Sequence, residues 1–145
     1  MAERTKVLLV DDEPDILAVV QRRLQLHNYQ VITAEDGYEG LARARKENPD
    51  VIVLDLMLPG IDGHQICAIL KRDLRFRDVP IIILSARSQL KDVETSIQCG
   101  ADAFVAKPFD HQVLISQIDS LLARRTIPAD APNGAPLLRA ATRSK

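Results

Sequence analysis

Five polar residues stand out by type and position: Asp11, Asp12, Asp55, Ser85 and Lys107. Each closes, or directly follows, a short apolar run. Asp55 poses the sharpest question, because it comes after Val51, Ile52, Val53 and Leu54 and before Leu56, Met57 and Leu58. An ionised carboxylate in apolar surroundings is costly enough that it neutralises, pairs or takes a metal ion. Three carboxylates brought together repel one another and need a cation, and an all-oxygen set without nearby His or Cys suits a hard ion such as Mg²⁺. Such an ion keeps Asp55 ionised and able to act as a nucleophile. Lys107 supplies a point charge on a long stem, suited to a phosphoryl oxygen, and Ser85 a hydroxyl that can donate to the same group. Metal, lysine and hydroxyl together would spread charge compensation over the equatorial oxygens of a phosphoryl group arriving at Asp55.

These residues meet only if the chain folds to bring them to one place. Five apolar runs, 6–10, 30–33, 51–54, 80–84 and 103–106, alternate with amphipathic segments. Near-continuous Val/Ile/Leu is what a strand buried on both faces looks like. Helices are expected from Pro14, with Ile16, Leu17, Val20 and Leu24 on one face, and from about Tyr38 to Glu47, stopped by Asn48-Pro49-Asp50. Others are expected from about His64 to Asp73, from about Lys91 to Gln98 before Gly100, and after Asp110, with Leu114, Ile118, Leu121 and Leu122 at helical spacing. Five β-then-α units predict an α/β fold with a doubly wound parallel sheet. Ligands of such sheets bind beyond the carboxyl ends of the strands. Asp11 and Asp12, Asp55, Ser85 and Lys107 fall at the ends of the first, third, fourth and fifth strands, which predicts one shared site.

The 145 residues suffice for one domain with a full core. With 19 basic and 20 acidic side chains the net charge is -1, which leaves no electrostatic footprint for nucleic acid or an anionic membrane. Cys67 and Cys99 match neither a metal-ligand spacing nor a disulfide framework, and read as reduced, half-buried helix residues of a cytoplasmic protein. No stretch approaches the ~20 apolar residues of a membrane span, and Met1–Lys6 has no signal-peptide core. His27, His64 and His111 have no acidic orienter at useful spacing and read as surface or boundary residues. After Arg125 the chain becomes proline-rich, so residues 1–125 read as the domain and 126–145 as a flexible linker or tail, idle or tethering a partner.

The segments VLLVDDEPDI, VIVLDLMLPGIDG, ILSAR and GADAFVAKPF resemble, in order and spacing, the signatures of the receiver domain of two-component response regulators. The resemblance covers roughly residues 4 to 125 and implies a flavodoxin-like sheet of order 2-1-3-4-5 flanked by five helices. Carried over, it makes Asp55 the phosphoacceptor, Asp12 and Asp55 direct Mg²⁺ ligands with the Met57 carbonyl, and Asp11 a ligand through water. Ser85 and Lys107 would bind the phosphoryl group, Ser85 and Phe104 would form the switch, and Lys107–Pro108 would be cis. The sequence has Ser85 at a position where threonine is equally common, and Phe104 in place of tyrosine, which removes one hydrogen-bonding hydroxyl; Phe104 could equally serve as core packing. Gly60 and Gly63 read as turn glycines after Asp55, with Pro59 and Gly60 fitting a tight turn.

The function implied is acceptance of a phosphoryl group from a sensor histidine kinase or histidine phosphotransfer protein. The face made by the fourth helix, fifth strand and fifth helix would then shift to control an output domain or protein, with phosphorylation-dependent homodimerisation left open. Slow self-hydrolysis would reset it, with Met57 and Arg87 flanking the water's path and tuning the lifetime, so no turnover enzyme is expected. Three alternatives remain. An aspartyl-nucleophile phosphohydrolase would need an acid two residues beyond Asp55, where Met57 stands. A flavin module would need a Ser/Thr/Gly-rich loop where Asp11–Asp15 stand. A degenerate receiver would only dock partners.

Overall fold

The computed structural model describes residues 4–86 and 98–126, the last two as backbone only. Five strands, β1 (Lys6–Val10), β2 (Gln30–Ala34), β3 (Val51–Asp55), β4 (Ile81–Ser85) and β5 (Ala103–Ala106), form one parallel sheet of order β2-β1-β3-β4-β5. Helices α1 (Pro14–Leu26), α2 (Gly37–Glu47) and α3 (Gly63–Arg72) and a C-terminal helix (His111–Thr126) cover it. The fourth of the five expected helices, near Lys91–Gln98, lies outside the described residues apart from its final position.

Strand residues alternate between two cores. Leu8, Val10, Ile52, Leu54, Ile81 and Ile83 face α2 and α3, and pack with Leu41, Ala44, Ile66, Cys67 and Leu70. Val7, Leu9, Val51, Val53, Ile82 and Leu84 face α1 and the C-terminal helix, and pack with Leu17, Val20, Leu24, Leu114, Ile118 and Leu121. Both faces of β3 and β4 are thus buried, which is why their sequences are continuous apolar runs rather than alternating ones. Phe76, 1% exposed in the segment between α3 and β4, adds a large core side chain that no periodic pattern marks.

Local signals set the helix ends. Pro14 occupies the first turn of α1, where its missing N–H costs nothing. Asn48 ends α2 in the left-handed conformation (φ 52°). Asp62 caps α3 in a reciprocal pair with Gln65, and Asp110 accepts from the Gln112 N–H at the start of the C-terminal helix. The expected helix starts at Tyr38 and His64 each move one residue earlier, to Gly37 and Gly63.

The cysteine and histidine readings need correction. Cys67 is fully buried rather than half-buried, because it sits on the core stripe of α3. Cys99 is half-buried but lies in the turn before β5, not in a helix. His27 does have an acidic partner, Asp119 of the C-terminal helix at 3.1 Å, supplied by tertiary packing across 92 residues. The neighbouring Tyr29 hydroxyl donates to the same carboxylate, and burial, followed by that contact, pushes the phenol well above its ordinary value.

Candidate functional site

β1, β3 and β4 end side by side, because the register pairs Val10 with Leu54 and Asp55 with Leu84. The residues just past those ends therefore converge. Asp11 follows β1 and is fully buried; its Oδ1 accepts from the Glu13 N–H at 3.0 Å, which fixes the carboxylate's direction. Asp55 closes β3 at 4% exposure, and its Oδ1 accepts from the Met57 N–H at 3.3 Å. Lys107 follows β5, anchored by its N–H to the Ser85 carbonyl at 2.7 Å, before a cis bond to Pro108.

The Lys107 ammonium reaches across to the acids. Its Nζ lies 2.9 Å from Asp11 Oδ2, 3.3 Å from Asp55 Oδ2 and 3.4 Å from Glu13 Oε1. Burial pulls the lysine toward its neutral form, but the hydrogen bond to Asp11 and the charges of Asp55 and Asp11 outweigh it and raise its pKa. Burial first, then the negative charge of Asp11, push the Asp55 carboxyl up to about 6, with Lys107 and the Met57 N–H pulling the other way. Among the described residues, one cation is shared by several acids at this rim, which leaves them short of positive charge.

That shortage is what a divalent ion would meet. Asp11, Asp12, Glu13 and Asp55 each offer a carboxylate oxygen, all within 4.8 Å of one another. The donors are all oxygen, two carboxylates are buried and two open to solvent, which fits a hard cation that keeps part of its water shell. Glu13 is absent from the sequence-level selection. It is one acid among several in a row, and only the turn pinned by Asp11 aims it at Lys107.

The remaining predicted residues fall around this centre. Ser85 is buried at the end of β4. Phe104 is half-buried and pairs with Ile83, two residues before Ser85 along β4, so it lies on the same face of the sheet as Ser85. Met57 turns its side chain outward, 53% exposed, beside the acids. Arg87 lies outside the described residues. Gly60 takes the left-handed backbone of a turn glycine (φ 81°), whereas Gly63 is the first residue of α3. A Cβ at Gly63 would stand 2.6 Å from the Asp55 carbonyl oxygen. Close approach, not turn geometry, calls for glycine there.

The fold and the rim together are those of a doubly wound α/β domain whose strand ends gather a lysine and several acids. The profile of the response regulator receiver domain matches residues 7–119, and the chain belongs to that family. It is 40% identical over 119 residues to the DNA-binding dual master transcriptional regulator RpaA of Synechocystis sp., covering 82% of this chain and 49% of RpaA. The chain spans about half the length of the curated relatives it matches. It is similar to the structure of chemotaxis protein CheY4 of Vibrio cholerae at a TM-score of 0.79 and 30% identity, covering 82% of this chain and 99% of that one. It is also similar to the receiver domain of sensor histidine kinase PA1611 of Pseudomonas aeruginosa, with a TM-score of 0.78, 29% identity and coverage of 83% and 99%. That structure has a magnesium ion coordinated in its active-site cleft. Among the described residues, no helix is long and apolar enough to cross a membrane.

Proposed function

We propose that this receiver domain accepts a phosphoryl group on Asp55 from a phosphohistidine of a sensor kinase or phosphotransfer protein. The observation that carries this reading is the Lys107 ammonium lying within 3.3 Å of both Asp11 and Asp55 at one rim of the sheet. Asp11, Asp12 and Asp55, with the Met57 carbonyl, would hold Mg²⁺, and Glu13 stands beside them. The bound ion supplies charge neutralisation at the transferring group. The Asp55 carboxylate attacks phosphorus in line as the bond to the donor nitrogen breaks. Lys107 leaves Asp55 Oδ2 for a phosphoryl oxygen, and the Ser85 hydroxyl donates to another. Movement of Ser85 frees space along its face of the sheet, into which the neighbouring Phe104 ring turns. The change at β5 shifts the surface around it, which an output domain or protein reads. The domain stores a phosphoryl group and loses it slowly to water, rather than turning over as an enzyme. Residues 1–125 form this unit, and 126–145 are a linker or tail.

Incubation with Mg²⁺ and acetyl phosphate, followed by intact mass, should add one phosphoryl group to the wild type and none to Asp55→Asn. A gain that survives in Asp55→Asn, or that needs no metal, overturns the assignment. Met57 and Arg87 should set the lifetime of the product. Half-lives unchanged in Met57→Ala and Arg87→Ala would remove them from that role.

A further inference from the structure

Cys67 and Cys99 are 32 residues apart in sequence yet meet on the α3 side of the sheet, both as free thiols. Cys67 Sγ donates to the Cys99 carbonyl oxygen at 3.5 Å, which sets the two cysteines against each other. Their surroundings divide the labour. Cys67 is fully buried on α3, while Cys99 is partly open to solvent in the turn before β5. The thiol contact, with the N–H groups of Ala101 and Cys99, brings Cys99 down to about 7, against burial and the charge of Asp62. The same contact, then burial and the charges of Cys99 and Asp102, push Cys67 well above its ordinary value, with Lys71 opposing. A reachable thiolate beside a protected thiol is the arrangement of a reactive cysteine and its resolving partner.

We propose that Cys99 and Cys67 form a reversible intramolecular disulfide when the protein meets hydrogen peroxide. The Cys99 thiolate attacks one peroxide oxygen, the O–O bond breaks, hydroxide leaves and Cys99 becomes a sulfenic acid. Cys67 sulfur then attacks the Cys99 sulfur, and the S–OH bond breaks to release water with the Cys67 proton. Two thiols are oxidised and one peroxide is reduced to two waters. The cross-link ties α3, whose first residue packs on the Asp55 backbone, to the turn that feeds β5. Its consequence for switching rests on the phosphoacceptor reading. The cross-link itself does not, and its test needs no phosphoryl chemistry.

The test treats the full chain with hydrogen peroxide, unfolds it, alkylates free thiols and measures intact mass and a peptide map. The expected result is loss of two hydrogens, loss of both alkylation adducts, a linked pair of peptides carrying Cys67 and Cys99, and full reversal by dithiothreitol. In Cys99→Ser, checked for native circular dichroism, Cys67 should stay unoxidised and alkylate fully once unfolded. Sulfinic or sulfonic acid on Cys99 with Cys67 still alkylated, or disulfide-linked dimers in place of the internal link, overturns the proposal.

Discussion

Asp55 carries a conflict that can be measured. Its carboxyl is raised from 3.8 to about 6, so the folded protein holds this proton more tightly than the unfolded chain does. Between pH 4 and 6 stability from this residue therefore falls as pH rises, and above about 6 the whole cost is present. Replacing the carboxylate by an isosteric amide removes that cost. Asp55→Asn should raise the unfolding free energy in chelator at neutral pH by on the order of 2 kcal/mol, and the advantage should vanish toward pH 4. Denaturant unfolding of both proteins at the two pH values checks the sign, and an equal gain at both would mean that packing rather than charge is responsible. Residues of this kind were legible in the sequence because a lone acid inside an apolar run is anomalous on its own. Glu13 was not, since nothing in Asp11-Asp12-Glu13-Pro14-Asp15 says which acids come within reach of Lys107.

At the scale of elements, α3 and β3 are joined as closely as backbone allows. The Gly63 N–H donates to the Leu56 carbonyl at 3.0 Å, and a Cβ at Gly63 would meet the Asp55 carbonyl oxygen at 2.6 Å and the Leu56 Cα at 3.0 Å. Both obstacles are main chain and cannot swing aside. Gly63→Ala should thus cost about 2–3 kcal/mol of stability through overpacking and lower phosphoryl acceptance by displacing Asp55. Asp62→Ala, which removes only the cap of the same helix, should cost about 1 kcal/mol and leave the acceptance rate close to wild type. Equal effects of the two variants on that rate would show that α3 stability, not the approach to Asp55, matters. The strands were readable because burial on both faces leaves continuous apolar runs, and two helix starts because Pro14 and Asp110 mark them. Contacts between distant elements had no such mark. The His27–Asp119 pair, the Cys67–Cys99 contact and the burial of Phe76 arise from packing of segments far apart in the chain.

The molecule as a whole is a device for bringing three strand ends to one charge. β1, β3 and β5 supply Asp11, Asp55 and Lys107, and among the described residues the acids there outnumber the base. The lysine would then compete with a divalent ion, because both would draw on the same carboxylates. Lys107→Ala removes one positive charge from beside the ion, worth on the order of 1–2 kcal/mol even at the dielectric of bulk water, or roughly tenfold tighter Mg²⁺ binding. In chelator the same variant should be less stable than wild type, since the buried Asp11 and Asp55 lose their shared partner. A ligand that binds only the folded state raises its stability with concentration, so thermal unfolding across a Mg²⁺ titration reads both effects at once. The variant should start lower and climb at lower Mg²⁺, while its phosphoryl acceptance falls. Weaker Mg²⁺ binding in Lys107→Ala would mean instead that the lysine holds the acids in place for the ion, and that the rim depends on it for shape rather than for charge.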